Sequence, residues 1–256
     1  MNILDRIWQK LVVNCAIGLM ERHQKRQPGM VVISGDYVSI KAMLQGRFED
    51  QELSVLEREI FPKLKTRSCC LDIGANIGNH SISFSKCFER VIAFEPNPKV
   101  FDVLTLNARW NPKITPVQIG ASDRQHFLEA VVPQGNLGAA QIVGSSTLIE
   151  GETVRFECAR VDEYIPSDKF SDIGFIKIDV EGHEYEALLG CEAILKRAHP
   201  ILGFELLRQD YNKNAARISQ FLGDVGYSKF FEITSSGVKE IKNFERKNYK
   251  MIIAIA

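Results

Sequence analysis

Two carboxylates, each at the end of an apolar run, stand about 20 residues apart, the spacing at which a nucleotide-binding fold sets its acids. Asp72 lies in Cys70-Leu71-Asp72-Ile73-Gly74-Ala75-Asn76-Ile77-Gly78-Asn79-His80, and Glu95 in Ala93-Phe94-Glu95-Pro96-Asn97-Pro98. The first stretch reads as a buried strand, a glycine turn and a helix start; the second reads as a strand ending in an acid. A β-α-β unit of this kind places a nucleotide-like ligand at the carboxyl ends of its strands. Gly74 lets the chain turn without a Cβ clash, and Gly78 lets the first helical turn approach the ligand. Glu95 is then placed to accept hydrogen bonds from ribose hydroxyls. A pyrophosphate would ask for G-x-G-x-x-G and its bare N–H groups. Here Asn76 takes the second glycine position and Asp72 precedes the turn. A carboxylate there repels a pyrophosphate and suits a ligand bearing an ammonium or sulfonium charge.

A second chemical cluster follows in Ile176-Lys177-Ile178-Asp179-Val180-Glu181-Gly182-His183-Glu184. Asp179, Glu181 and His183 alternate, so an extended chain would turn all three to one side, although Gly182 interrupts that geometry. Group transfer to a hydroxyl needs an in-line approach and a proton acceptor. His183 is the first candidate base, because imidazole titrates near neutrality. The same three side chains could alternatively gather a divalent cation that acidifies the hydroxyl. His80 and Glu205 are further polar groups expected at this edge, as positioning residues. Lys177 is expected to leave its strand toward a following insertion and to form an ion pair there.

The elements that must position these residues alternate. Strands are expected at the run into Asp72, at 90–94, 115–119, 175–179 and 200–205, with helices over 78–88 and from Pro98 onward. Apolar strands alternating with helices argue for a parallel sheet. Residues 229–233 and 251–255 read as an antiparallel pair at its edge. Between 124 and 172 the alternation gives way to two strands, 127–132 and 154–161, joined by a loop rich in glycine, serine and asparagine. Ahead of the core, 30–33 and 37–40 flank Ser34-Gly35-Asp36 in a hairpin-like pattern, and 49–64 carries apolar residues at helical spacing.

Taken together in order, Leu71 to His80, Ala93 to Pro98, Ile176 to Glu184 and Ile201-Leu202-Gly203-Phe204-Glu205 resemble the FkbM family of S-adenosylmethionine (SAM) dependent, class I methyltransferases. The likeness covers about 69–204 and not the first 38 residues. It implies a Rossmann-like α/β fold with a mainly parallel seven-stranded sheet; the chain pattern itself adds the expectation of an N-terminal helix and cap region over 1–66 ahead of a methyltransferase domain over 67–256 carrying the 124–172 insertion. It also implies SAM as cofactor and methyl transfer to a hydroxyl oxygen of a small molecule or glycan. Transfer to an amine or protein, and a SAM-binding scaffold without catalysis, are the alternatives. Residue by residue, Asp72, Gly74, Asn76 and Gly78 would hold the methionine end and Glu95 the ribose, with Asn79 and Pro96 as further cofactor-binding residues. Asn97, Ser122 and Asp123 would edge the adenine, and Asp179 would face the sulfonium.

The 256 residues carry 32 basic and 32 acidic side chains, so no broad electrostatic attraction draws the chain to nucleic acid or an anionic membrane. The six cysteines show no C-x-x-C pair and no metal spacing, and read as reduced residues of a cytoplasmic protein. Cys69 and Cys70 are adjacent on a strand and must face opposite sides. Ile3, Leu4, Ile7, Trp8, Leu11 and Val12 recur at helical spacing; that helix is expected to pack on the main domain, with a homodimer face or a membrane-surface contact as alternatives.

Overall fold

The structure, a computed structural model, describes residues 3–23, 29–133, 135–138, 140–142, 151–206, 208–242, 244 and 249–256. It opens with helices α1 (Ile3–His23), α2 (Tyr37–Gln45) and α3 (Asp50–Val55), the last continued by a π-helical turn over Leu56–Ile60. Then come β1 (Cys69–Ile73), α4 (Asn79–Phe84), β2 (Arg90–Phe94), α5 (Pro98–Arg109) and β3 (Ile114–Val117). The excursion expected after the third strand is a second sheet of β4 (Gly120–Ala121), β5 (His126–Pro133), β6 (Gln141–Ile142) and β7 (Gly151–Ala159), in the order β4-β7-β5-β6. The chain returns through β8 (Ile173–Ile178), α6 (Glu184–Gly190), α7 (Glu192–Ala198), β9 (Ile201–Leu206) and α8 (Arg208–Asp224) to β10 (Lys229–Thr234), β11 (Gly237–Ile241) and β12 (Tyr249–Ile255).

The main sheet runs β11-β10-β12-β9-β8-β1-β2-β3. Its β9-β8-β1-β2-β3 half is parallel, whereas β12, β10 and β11 join antiparallel. It therefore holds eight strands rather than seven, because the chain turns at Gly237 and adds β11 to the outer edge of β10. The expected final pair does form, but β12 lies inside, between β9 and β10.

Each strand feeds two cores. Cys69, Leu71 and Ile73 of β1 pack with α6, α7 and α8, while Cys70 packs with α4, α5 and the α3 segment. The two adjacent cysteines thus face opposite layers, as alternation requires. The second layer is bolted by Phe61, whose ring meets Phe84, Phe88 and Phe175 edge-on at 5.7, 5.1 and 5.3 Å. This packing carries the α3 segment to the carboxyl end of the sheet.

Residues 37–40 form the start of α2 rather than a hairpin strand. Asp36 overrides the alternation, since its carboxylate caps the helix by accepting from the Ser39 N–H at 2.9 Å. Val38 and Ala42, one helical turn apart, are the buried apolar positions of that helix, with Ser39 buried beside them. α1 runs alongside α2. Its Leu4, Ile7, Trp8, Leu11 and Val12 remain exposed, Trp8 by 67%. The expected burial of this apolar stripe is therefore not what the fold provides. Among the described residues no helix is long and apolar enough to cross a membrane.

Truncating the bolt should loosen the whole layer. Phe61→Ala is expected to lose about 3–5 kcal/mol of unfolding free energy, the range for a fully buried phenylalanine, read as a lower urea midpoint.

Candidate active site

Strand register assembles the site. Ile73 pairs with both Phe94 and Ile178, and Ile178 pairs with Phe204. The next residue of each strand therefore reaches the carboxyl edge at one level: Gly74, Glu95, Asp179 and Glu205. Gly74 N and Ala75 N both donate to the Phe94 carbonyl, and Asp179 N donates to the Ile73 carbonyl, so the strand ends are tied together. Gly74 has φ +77°, and a Cβ there would lie 1.7 Å from the Asp179 carbonyl oxygen. Glycine is needed for both reasons.

A cavity of about 290 Å³ opens above this edge. Gly74, Asn76, Asn79, Glu95, Pro96, Asn97, Asp179, Glu181 and His183 line it, together with Glu205. Asp72, Gly78, Ser122 and Asp123 do not. Asp72 is fully buried one layer down, where it accepts a hydrogen bond from the Ser81 hydroxyl at 2.6 Å. Gly78 precedes α4 with φ +95° and packs near Leu104. Ser122 Oγ lies 2.9 Å from His183 Nε2, and Asp123 pairs with Arg124.

Glu95 is buried, and its two oxygens are each oriented by one backbone donor: Asn76 N at 3.0 Å and Asn97 N at 2.8 Å. Burial pushes its carboxyl up to about 7, opposed by those two hydrogen bonds. Each oxygen keeps a lone pair for a ligand hydroxyl.

Lys177 does not leave toward the insertion. Parallel pairing sets it directly beside Asp72, and the ammonium lies 3.7 Å from Asp72 and 3.0 Å from Asp179. Burial alone would lower its pKa; the Asp179 and Asp72 charges more than offset that and raise it. The lysine is therefore a fixed cation under the cavity floor. Glu205, next along the edge, is pushed up to about 10 by burial and by the charges of Asp179 and Glu49.

The α3 segment and the second sheet supply the upper walls. Asn79 clamps residue 48 through both amide groups, donating to Phe48 O at 3.0 Å and accepting from Phe48 N at 2.8 Å. That clamp holds Glu49 over the cavity, 3.2 Å from His80 Nε2. Burial would raise the Glu49 carboxyl, but its hydrogen bond and charge attraction to His80 bring it below the ordinary value. Across the cavity, Leu137 N donates to Asp36 and Tyr37 N donates to Gly135 O. Gly138 approaches Asn76 so closely that a Cβ would lie 2.0 Å from its amide nitrogen. Of the glycine-, serine- and asparagine-rich loop expected over 134–147, residues 134, 139 and 143–147 lie outside the described residues. Among the described non-glycine residues, Glu49, Asn76, Glu181 and His199 have positive φ, and the first three line the cavity. Such strain concentrates where a ligand is held.

Residues 72–229 match the model of the methyltransferase FkbM domain. The chain belongs to the FkbM methyltransferase family. Within reach of this family, the chain is 32% identical over 138 residues to the hexuronic acid methyltransferase AglP of Haloferax volcanii, covering 51% of this chain and 53% of that protein. It is 27% identical over 181 residues to the methyltransferase sdnD of Sordaria araneosa, covering 55% of this chain and 70% of that one. The chain thus spans about half the length of AglP. Among solved structures, the FkbM methyltransferase of Methylobacillus flagellatus KT superposes with a TM-score of 0.54 at 16% identity, over 94% of this chain and 58% of the other. That likeness supports the class I fold.

Sequence reading missed Tyr37, Phe48, Glu49 and the role of Lys177. Glu49 and Tyr37 sit in the least familiar part of the chain, and only tertiary packing carries them to the edge. For Lys177 a signal was present: a lysine between isoleucines on a strand parallel to Asp72 has an acid neighbour within reach. Asp179, Glu181 and His183 do share the cavity, although Glu181 and Gly182 have φ +52° and +98° and form a turn rather than an extended run. Among the described residues, no group of three His, Cys, Asp or Glu side chains is arranged to hold a metal ion.

Removing the floor cation should be costly. Lys177→Met strands Asp72 and Asp179 without their buried partner and is expected to lose about 3–5 kcal/mol of unfolding free energy, measured by urea denaturation.

Proposed function

We propose that this chain is a SAM-dependent O-methyltransferase acting on a hydroxyl of a sugar-like small molecule or glycan. The observation that carries the reading is Glu95: a buried carboxylate facing the cavity beyond β2, with both oxygens aimed by backbone N–H groups and the Gly74 turn beside it. This pair of oriented acceptor oxygens fits the vicinal hydroxyls of a ribose, which would donate to them. Gly74, Asn76 and Asn79 would line the methionine end, and Pro96 and Asn97 would flank the nucleoside. Asp179 would face the positive charge, and Asp72 would act from below by holding Lys177. Ser122 and Asp123 would support the adenine side, with Ser122 orienting His183.

When bound, SAM supplies an electrophilic methyl on a sulfonium. The chain's own residues must then align an acceptor oxygen with that methyl and receive its proton. Glu181 and His183 lie on the β8 side of the cavity and Tyr37, Phe48 and Glu49 on the cap side, so an acceptor would enter between them. Hydroxyl-rich acceptors fit walls that offer carboxylate and imidazole partners. The hexuronic acid named for AglP, together with family membership, supports sugars as the first acceptors to try.

Calorimetric titration with SAM and, separately, with NAD tests the cofactor reading. SAM is expected to bind and NAD not to bind. Glu95→Ala is expected to lose about 2–4 kcal/mol of SAM binding, roughly 30- to 1,000-fold, because charge-assisted ribose hydrogen bonds disappear. The wild-type affinity should also weaken as pH falls below about 7, where the Glu95 carboxylate gains its proton. NAD binding without SAM binding would overturn the assignment. Transfer of labelled methyl to a panel of neutral sugars and sugar acids, followed by locating the label on oxygen or nitrogen, tests the reaction.

A further inference from the structure

Resting on the SAM-dependent reading, we propose that Glu205 takes the acceptor's hydroxyl proton, and that it becomes able to do so by releasing its own proton when SAM enters. Glu205 extends from β9 at the same level as Asp179 and lines the same cavity. The alternation that puts Phe175 in the α4 layer also turns Lys177 and Asp179 toward that side. Gly203, whose Cβ would touch Phe175 at 3.0 Å, places β9's odd positions, Glu205 included, there too. The acids therefore gather around one ammonium instead of scattering over both faces of the sheet.

Charge counting then decides the state of Glu205. From β8 it faces Lys177 and Asp179, from the following turn Glu181, and from the cap Glu49 with its partner His80. On the neighbouring β12, Lys250 directs its amine to Glu52 at 3.5 Å. Lys177 is already shared by Asp72 and Asp179. A further buried negative charge beside them is disfavoured, so in the ligand-free chain Glu205 keeps its proton, consistent with a carboxyl held up to about 10. A ligand that brings one positive charge next to Asp179 removes that objection, and the proton leaves to solvent.

In the methyl-transfer step a bond forms between the acceptor oxygen and the methyl carbon as the sulfur–methyl bond breaks. The hydroxyl proton passes to the Glu205 carboxylate, and S-adenosylhomocysteine is left as a neutral thioether. One positive and one negative charge vanish together, so the buried site never accumulates net charge. His183 is placed differently: its Nε2 faces Ser122 at 2.9 Å and its Nδ1 lies 3.6 Å from Glu186.

Proton release on binding tests this without any acceptor. The full chain is titrated with SAM and with S-adenosylhomocysteine at about pH 8, in phosphate and in Tris, whose ionisation heats differ. The sulfonium lowers the amino pKa of SAM relative to the thioether, so the proton balance of each ligand free in solution is subtracted before the two are compared; the Glu95 contact is common to both. SAM is expected to release about one more proton than S-adenosylhomocysteine, and its affinity to rise with pH by up to about tenfold per unit relative to the thioether. Glu205→Gln should bind both ligands with that difference gone, and Glu205→Asp should restore it. Equal release by the two ligands in the wild type overturns the proposal, as does a difference that survives in the glutamine variant. Should the glutamine variant not fold, the wild-type comparison alone decides. Failure of SAM to bind at all is a separate result, which removes the cofactor reading and this inference with it.

Discussion

The Lys177 side chain is buried at the floor of the cavity, so its charge has to be met by protein groups. Parallel register gives it Asp72 as a lateral neighbour, and Asp179 closes over it from the strand end. Much else follows from that arrangement. Asp72 is withdrawn from the cavity and spends its second oxygen on Ser81, which joins the floor to α4. Asp179 is fixed where β8 ends, and its backbone presses against Gly74 so tightly that no other residue fits there. The acid at the end of β9 is then left to find its balance elsewhere.

A buried charge cluster is a poor source of stability, and well-packed apolar residues often serve as well or better. The sheet has apolar side chains in abundance on both faces. Keeping lysine and aspartate at matched positions of adjacent central strands therefore argues for a task that apolar packing cannot perform. In a cavity whose ligand carries charge, a fixed ammonium with its carboxylates sets the local potential before anything binds, which avoids reorganisation during reaction.

The sheet and the lower half of the site were legible because both rest on local patterns. Apolar runs ending in acids announced β1, β2 and β8, and Pro98 announced the start of α5, whose cap the structure shows to be Asn97 accepting from Lys99 N. The cap was harder. Val38 and Ile40 fit either a strand or a helix, and only the Asp36 cap decides between them. Glu49 could not be found at all, since its position depends on the neighbouring Phe48 being clamped by Asn79, 31 residues on from Phe48. Lys177 was misplaced because its signal, a lysine between isoleucines on a parallel strand, becomes decisive only once strand register sets it beside Asp72. The extra strand β11 is a similar case: a short edge segment with only Val238 and Ile241 apolar beyond its first glycine carries little pattern to read.

Asp36 serves two segments at once, capping α2 through Ser39 and receiving the N–H of Leu137 from 101 residues further along the chain. The upper wall of the cavity is therefore a composite whose halves are matched through one carboxylate. Exchanging either half alone with a related chain would leave that carboxylate, or the amide it receives, without its counterpart. The two segments thus form one structural unit, and grafting this wall between relatives requires moving the α2 start and the β5–β6 turn together.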